Sequence, residues 1–329
     1  MLSNLMLSSL LPRLLVLFCL ALVVILLGVL LGSVNLPLES ISAVLTGQGS
    51  PLHKTLILEL RLPRVLAAFA TGGLLAIAGA LMQVLLRNPL ADPYVLGLSG
   101  GAAVAALLAM LAGLGVFWIS SAAFIGALFS TFLVFGLAYG SGQASATRLL
   151  LTGVVVASGW GALISFLLAT SQAHQLPGML YWLMGDLSHA PSPVIPWLVL
   201  LAVLVLLIPL GRTLNVLARG ALQAAALGVS VKKVELTIFG LAALLTAIAV
   251  TVAGSIGFVG LIVPHLMRMV FGYDQRILLP ASALAGGSLL VLADTLARIV
   301  IAPQQLPVGV ITAMLGVPVF LLLLYRSNR

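Results

Sequence analysis

The chain has 329 residues, 62% hydrophobic and 7% charged, with 15 basic against 7 acidic residues and a formal charge of +8. Soluble domains carry about 25% charged residues, so a soluble core could not hide this much apolar surface and most of it must face lipid. The basic residues are scattered singly rather than gathered into a patch, which argues against nucleic acid as a partner.

Ten largely uncharged apolar runs are predicted to be membrane helices. The first covers 14–31 after Arg13 and exceeds the apolar region of about 7–15 residues of a secretory signal peptide; cleavage near Ser33 stays open. It holds the single cysteine, Cys19, which cannot form an internal disulfide and reads as a small packing residue. The second run, 65–86, follows R-L-P-R, and Pro63 is placed to open its helix. Gly72, Ala76 and Ala80 recur every fourth residue, a smooth face for close helix packing. R-N-P-L-A-D-P comes next, where Pro89 and Pro93 prevent simple helical continuation.

Runs three to five cover 95–116, 119–139 and 149–169. Gly97-Leu98-Ser99-Gly100 matches the G-x-S-G pattern of rhomboid intramembrane proteases, with His265 as a conceivable base. Such a nucleophile needs that base within hydrogen-bond reach and an oxyanion site, and four residues with two glycines recur by chance in a chain with 33 glycines. The sixth run, 193–210, leads into a loop over 211–235. Gly220 and Gly228 punctuate a pair of short helices there, the second closing on a left-handed glycine cap. Leu214, Leu217, Leu222 and Leu227 are too apolar for a freely solvated loop. They suit docking into a groove of another protein, or an amphipathic segment lying on lipid.

The remaining runs cover 236–252, 256–269, 279–299 and 308–325. The eighth is short and interrupted by Pro264, which is tolerated only where protein or water surrounds the broken backbone. Gly254, Gly257 and Gly260 lack the G-x-G turn of a dinucleotide site and read as packing and turn residues. Four histidines, His53, His174, His189 and His265, show no metal-ligand spacing. His265, beside Pro264, is expected to bond freed backbone, with a pH or ligand role as the alternative. No glycine-rich loop ends in Gly-Lys-Ser/Thr, and Lys54, Lys232 and Lys233 lie in no such setting, so the chain does not hydrolyse ATP by itself.

Without a fixed-period repeat or a long linker, residues 1–329 form one membrane domain. With both termini in the cytoplasm, 11 of the 15 basic residues face inward, and Lys54, Arg61, Arg64 and Arg298 face outward, as the positive-inside rule requires. A secondary transporter is the main alternative, since broken spans also mark carriers. Carriers usually couple through intramembrane acids, whereas Asp294 is the only acid in a predicted span and is placed to pair with Arg298 one turn on.

Several blocks, taken in order, resemble the permease subunits of ABC importers for iron–siderophores, heme and cobalamin. They are R-L-P-R at 61–64, R-N-P-L-A-D-P at 87–93, V-L-G-L-S-G-G-A at 95–102 and R-L-L-L-T-G at 148–153. Y-W-L-M-G at 181–185 and G-S-I-G-F-V-G-L-I-V-P-H-L-M-R at 254–268 follow, then L-A-D-T-L-A-R at 292–298 and L-P-V-G-V-I-T-A-M-L-G-V-P-V-F at 306–320. The resemblance implies an all-α, polytopic permease of about ten helices, with short broken helices and cytoplasmic coupling helices, in the bacterial inner membrane. It implies a homodimer, two ATP-binding subunits that hold the ATP and magnesium, and a periplasmic or lipid-anchored substrate-binding protein. No cofactor belongs to this chain, and the cargo is a metal chelate, iron–siderophore first, cobalamin or heme next.

Residue by residue, the resemblance makes Asn88 and Leu90 one part of a cytoplasmic gate and Ser145, Ala146 and Thr147 the other, with plain loop packing as the alternative. Ala221, Ala224, Leu227 and Gly228 match the coupling helix, through A-x-x-L-G at 224–228. Arg61, Arg64 and Arg298 match arginines that receive acidic residues of the binding protein; headgroup anchoring, or an Arg298–Asp294 pair, is the alternative. Gln305 departs from the family's usual glutamate before L-P-V-G, which puts a charge-based role there in doubt.

Overall fold

The computed structural model describes residues 2–34, 36, 37, 39, 43, 44, 46–139, 146–188, 190 and 192–327. Within them the chain is helical: α1 (Leu2–Leu30), α2 (Leu62–Leu85), α3 (Leu98–Leu111), α4 (Val116–Tyr139), α5 (Ala146–Thr170) and α6 (Leu176–Leu183) come first. Then follow α7 (Val194–Ala218), α8 (Ala221–Ala226), α9 (Val231–Ala253), α10 (Val259–Phe271), α11 (Gln275–Ile299) and α12 (Val308–Ser327). Helices satisfy their backbone internally, which is the condition for lying in lipid. Eight helical spans are long and apolar enough to cross a membrane, and α3 and α10 are shorter apolar helices.

α2 is the centre of the bundle, enclosed by α11, α9, α10 and α7; apart from Leu66 every residue from Val65 to Val84 is buried. The small-residue face explains how neighbours come so close. A Cβ at Gly72 would overlap the Gly286 carbonyl of α11, and one at Gly79 would overlap the Gly260 carbonyl of α10. The predicted stripe of Gly72 and Ala76 is therefore the seam with α11, where Gly286 also meets Ala76.

Three boundaries and the place of one side chain differ from expectation. Pro63 does not open the second helix. The chain is already helical from Pro51, passes through a π-helical segment at Thr55–Arg61, and the Leu62 amide bonds the Ile57 carbonyl. The wider turn accommodates a proline that lacks the next donor. The third run is not a full crossing: a 3-10 turn at Pro93–Leu96 ends at Gly97 with φ +69°, and α3 has only 14 residues, or about 21 Å of helix. The loop over 211–235 contains one short helix, α8, because its first half belongs to α7, which runs through Pro209. Cys19 is exposed on α1 rather than packed. The glycine readings hold at Gly254, whose φ is +66° and whose Cβ would overlap the Trp182 carbonyl, and at Gly260, whose Cβ would press on the Pro93 ring; Gly257 faces open space.

Candidate functional site

Sites of interest lie at the two ends of α2. At its N-terminal end, Arg61, Arg64 and Arg298 come together as predicted, but they do not stand free. Arg61 and Arg298 are 7% and 3% exposed. Arg61 Nη1 donates to the Val29 and Leu30 carbonyls, and Nη2 to that of Val34. Arg298 donates from Nη1 to the Leu31 carbonyl at 3.1 Å and from Nη2 to that of Gly28 at 2.9 Å. The last carbonyls of α1 have no intrahelical donors, and two guanidiniums from distant segments supply them.

Asp294, fully buried on α11, joins the other two arginines. It accepts from Arg64 Nη2 at 2.8 Å and pairs with Arg298 Nε at 3.0 Å. The predicted i,i+4 pair exists, but Asp294 also accepts Arg64 from 230 positions away. Gln305 completes the group, its Oε1 accepting from Arg64 Nη1 at 2.7 Å while its carbonyl accepts from the Tyr181 hydroxyl. A cavity of 530 Å³ opens here, lined by Glu59, Arg61, Arg64, Tyr181, Arg298 and Gln305 among others. Three guanidiniums against the carboxylates of Asp294 and Glu59 leave a net positive charge.

At the other end of α2, the 87–92 turn is tightly specified. Asn88 Oδ1 accepts from the Leu90 amide at 2.9 Å, and the Ala91 amide bonds the Asn88 carbonyl. Arg87, at φ +48°, pairs with Glu235 of α9 at 3.2 Å. Asp92 Oδ1 caps the following 3-10 turn through the Tyr94 amide at 2.8 Å. Burial pushes the Asp92 carboxyl up to about 6, against the lowering effect of that bond. Beside the turn lies a cavity of 880 Å³, lined by Gln83, Arg87, Pro89, Arg219, His265 and Arg268 among others. Of the second gate segment, Ser145 lies outside the described residues, Ala146 begins α5, and Thr147 is exposed.

The segment Ala221–Gly228 follows α7 on the same end. Gly220 and Gly228 have φ of +136° and +81°, so both bends use conformations that glycine adopts without strain. Ala224 is buried, whereas Leu222 and Leu227 are 89% and 71% exposed; Leu214 and Leu217 are buried. One turn before the bend, Asn215 Nδ2 donates to Asp274 Oδ1 at 2.9 Å, and Asn215 Oδ1 accepts from the Gln275 amide. Asp274 also caps α11 and pairs with Arg276 at 2.6 Å. The hydrogen bond from Arg276, more than any other contact, holds its carboxyl down to about 2.

The serine–histidine arrangement of a protease is missing among the described residues. His265 lies against the Pro89 backbone and its Nδ1 is buried without a partner. No group of three or more His, Cys, Asp or Glu side chains able to hold a metal occurs among the described residues. Sequence reasoning missed the helix-capping work of Arg61, the Arg64–Asp294 pair and a bond between Gln83 and Arg268. One signal was legible: three arginines beside the only acid in any predicted span.

Comparison with known proteins agrees with this architecture. Residues 20–326 match the family model described as the FecCD transport family. An ABC transporter permease protein of Bacillus subtilis, YvrB, is 42% identical, covering 93% of this chain and 91% of its own. The hemin transport system permease HmuU of Yersinia pestis is 41% identical with 97% of each chain covered. The vitamin B12 import system permease BtuC of Vibrio vulnificus is 43% identical over 84% of each. A solved structure described as an inward-facing metal-chelate type ABC transporter superposes with TM-score 0.85 at 30% identity, covering 96% of this chain and 99% of its own.

Proposed function

Since this chain belongs to the FecCD transport family, we propose that it forms, with a second copy of itself, the pathway by which a metal chelate enters the cell. It is the membrane permease of an ABC importer, a transport component rather than a catalyst, and hydrolysis of ATP belongs to a separate subunit. That standing sets aside both the secondary transporter and the intramembrane protease. Permeases of this family act with ATPase subunits and a binding protein.

The observation that carries the reading is the projection of Leu222 and Leu227 from α8. Isolated exposed leucines need no explanation, but one on a six-residue helix and a second at its C-cap, set between bends that only glycine adopts without strain, suit a groove in a partner. Ala221, Ala224, Leu227 and Gly228 then couple to the ATPase. The partner is proposed as two ATP-binding subunits, which places α8 and both termini in the cytoplasm of a bacterial inner membrane. Asn88 and Leu90, together with Ser145, Ala146 and Thr147, form the inner gate. Arg61, Arg64 and Arg298 form the outer, cationic end that receives acidic groups of a substrate-binding protein. Arg64, the least buried of the three, makes direct contact, while Arg61 and Arg298 hold the surface in shape. The apolar surface of α5, with Leu151, Val154 and Val155 exposed and Gly159 and Gly161 open, supports a second copy packed alongside.

The cargo class is a metal chelate: a ferric siderophore, cobalamin or heme. ATP-dependent uptake in vesicles carrying permease, ATPase and binding protein tests the whole reading, with the three chelates competing against one another. Uptake without ATPase, or none of the three competing, overturns it. Cysteine pairs placed at Leu90 and Thr147 test the gate; crosslinking that is identical in every nucleotide state contradicts it.

A further inference from the structure

The C-terminal part of α2 and the turn that follows it, which carries Asn88 and Leu90, are fastened to α10 at three levels. Deepest is a backbone contact. Pro264 lacks the N–H that would bond the Gly260 carbonyl, and that carbonyl is the one against which Gly79 of α2 packs. Gly260 packs as well on the Pro93 ring, 2.9 Å from where its Cβ would stand. Next comes Gln83, 4% exposed. Its Nε2 donates to the Leu261 carbonyl at 3.1 Å, and its Oε1 accepts from Arg268 Nη2 at 2.9 Å. A hydrogen bond from a charged donor in such shielded surroundings is among the strong ones. Outermost is His265, whose ring lies against the Pro89 backbone while its Nδ1 stays buried and unpartnered. Buried polar atoms without partners are uncommon enough to require a reason.

α10 is in turn connected toward α8. The corner between α10 and α11 is bonded to the end of α7 through Asp274, Gln275 and Asn215, and α8 follows after Gly220. A continuous run of bonded elements therefore joins α8 to the turn.

We propose that Gln83, His265 and Arg268 are positioning residues that latch the 87–92 turn to α10, so that displacement of α10 by the coupling helix sets the place of Asn88 and Leu90. This rests on the reading of Asn88 and Leu90 as a gate.

The test uses the complete importer, reconstituted in lipid nanodiscs, on a Cys19→Ser background. Spin labels are placed at Leu90→Cys or, on the exposed side of α10, at Met269→Cys, and distances between copies are measured with and without ATP. In the parent both labels shift with nucleotide. In Gln83→Met and Arg268→Met the Met269 label is expected to keep its shift while the Leu90 label broadens and stops following it. ATP consumed per chelate transported rises about tenfold, the scale of losing one hydrogen bond to a charged group. Gln83→Glu retains the acceptor for Arg268 and restores the shift, which a general loss of packing would not permit. Wild-type shifts of both labels in the two methionine variants overturn the latch and leave the gate standing. A Leu90 label that never responds to nucleotide in the parent overturns the gate itself, and the latch with it.

Discussion

Replacing Asp294 with asparagine isolates the charge that organises the N-terminal end of α2. The carboxylate is fully buried and contacts Arg64 at 2.8 Å and Arg298 at 3.0 Å, whose side chains are 12% and 4% exposed. Removing one partner of a buried pair costs about 3–5 kcal/mol, because the other charge is left uncompensated. Arg64 keeps Gln305 and some water, and asparagine keeps one acceptor, so the expected loss is at the lower end, about 3 kcal/mol. Adding Arg298→Met to Asp294→Asn removes the stranded cation but also its bonds to the Gly28 and Leu31 carbonyls, worth about 1.5–3 kcal/mol each. The double variant is therefore expected to lose less than the sum of the two single losses, a sub-additive pair. Both are measured as unfolding free energies of the purified protein in detergent, at 0.05 M and 0.5 M salt as chosen conditions, about 14 Å and 4 Å of Debye length. Burial predicts that the loss is the same at both. A loss below about 1 kcal/mol for Asp294→Asn, or additive losses in the pair, would refute the charge argument.

Gly79→Ala is expected to destabilise by about 1–3 kcal/mol, since the new methyl overlaps the Gly260 carbonyl, whereas Gly240→Ala, with open space around it, should not; thermal unfolding compares them. Leu227→Asp is expected to cost about 1–3 kcal/mol of docking, abolishing stimulation of ATP hydrolysis by binding protein while the permease still folds; normal stimulation defeats the assignment. Asp274, held down to about 2, contributes stability that is complete above the unfolded carboxyl value of about 4 and is lost as pH falls toward 2. Asp274→Asn is accordingly expected to cost about 2 kcal/mol at neutral pH and to flatten the unfolding profile across that acidic window, which a denaturation series from neutral to acid conditions follows.

Much of the architecture was legible because lipid imposes few solutions: apolar length specifies a span, and proline and glycine mark where it breaks. The unusual character of the 221–228 segment was legible for the same reason, since Leu222 and Leu227 contradict a solvated loop, and both stand exposed. The failures share one cause. Pro63 reads locally as a helix start, yet a π-helical segment carries the chain through it, a choice fixed by what α2 packs against. Val95 belongs by composition to a third span, yet the left-handed Gly97 separates it from α3. The structure brings the three arginines to one end of α2, but the bonds from Arg64 to Asp294 and from Arg298 to Gly28 span 230 and 270 positions, and periodicity carries no information about such pairs. Gln83 and Arg268, polar residues inside apolar helices, were the one overlooked signal that composition alone offered.

The capping of α1 has a consequence for how the protein is made. α1 leaves the ribosome before α11, and the Arg298 group that closes its end comes 270 positions later. Until then only Arg61, 32 and 31 positions after Val29 and Leu30, closes that end. The carbonyls of Gly28 and Leu31 wait for α11, so a chain arrested before α11 emerges would leave α1 inserted but only half capped.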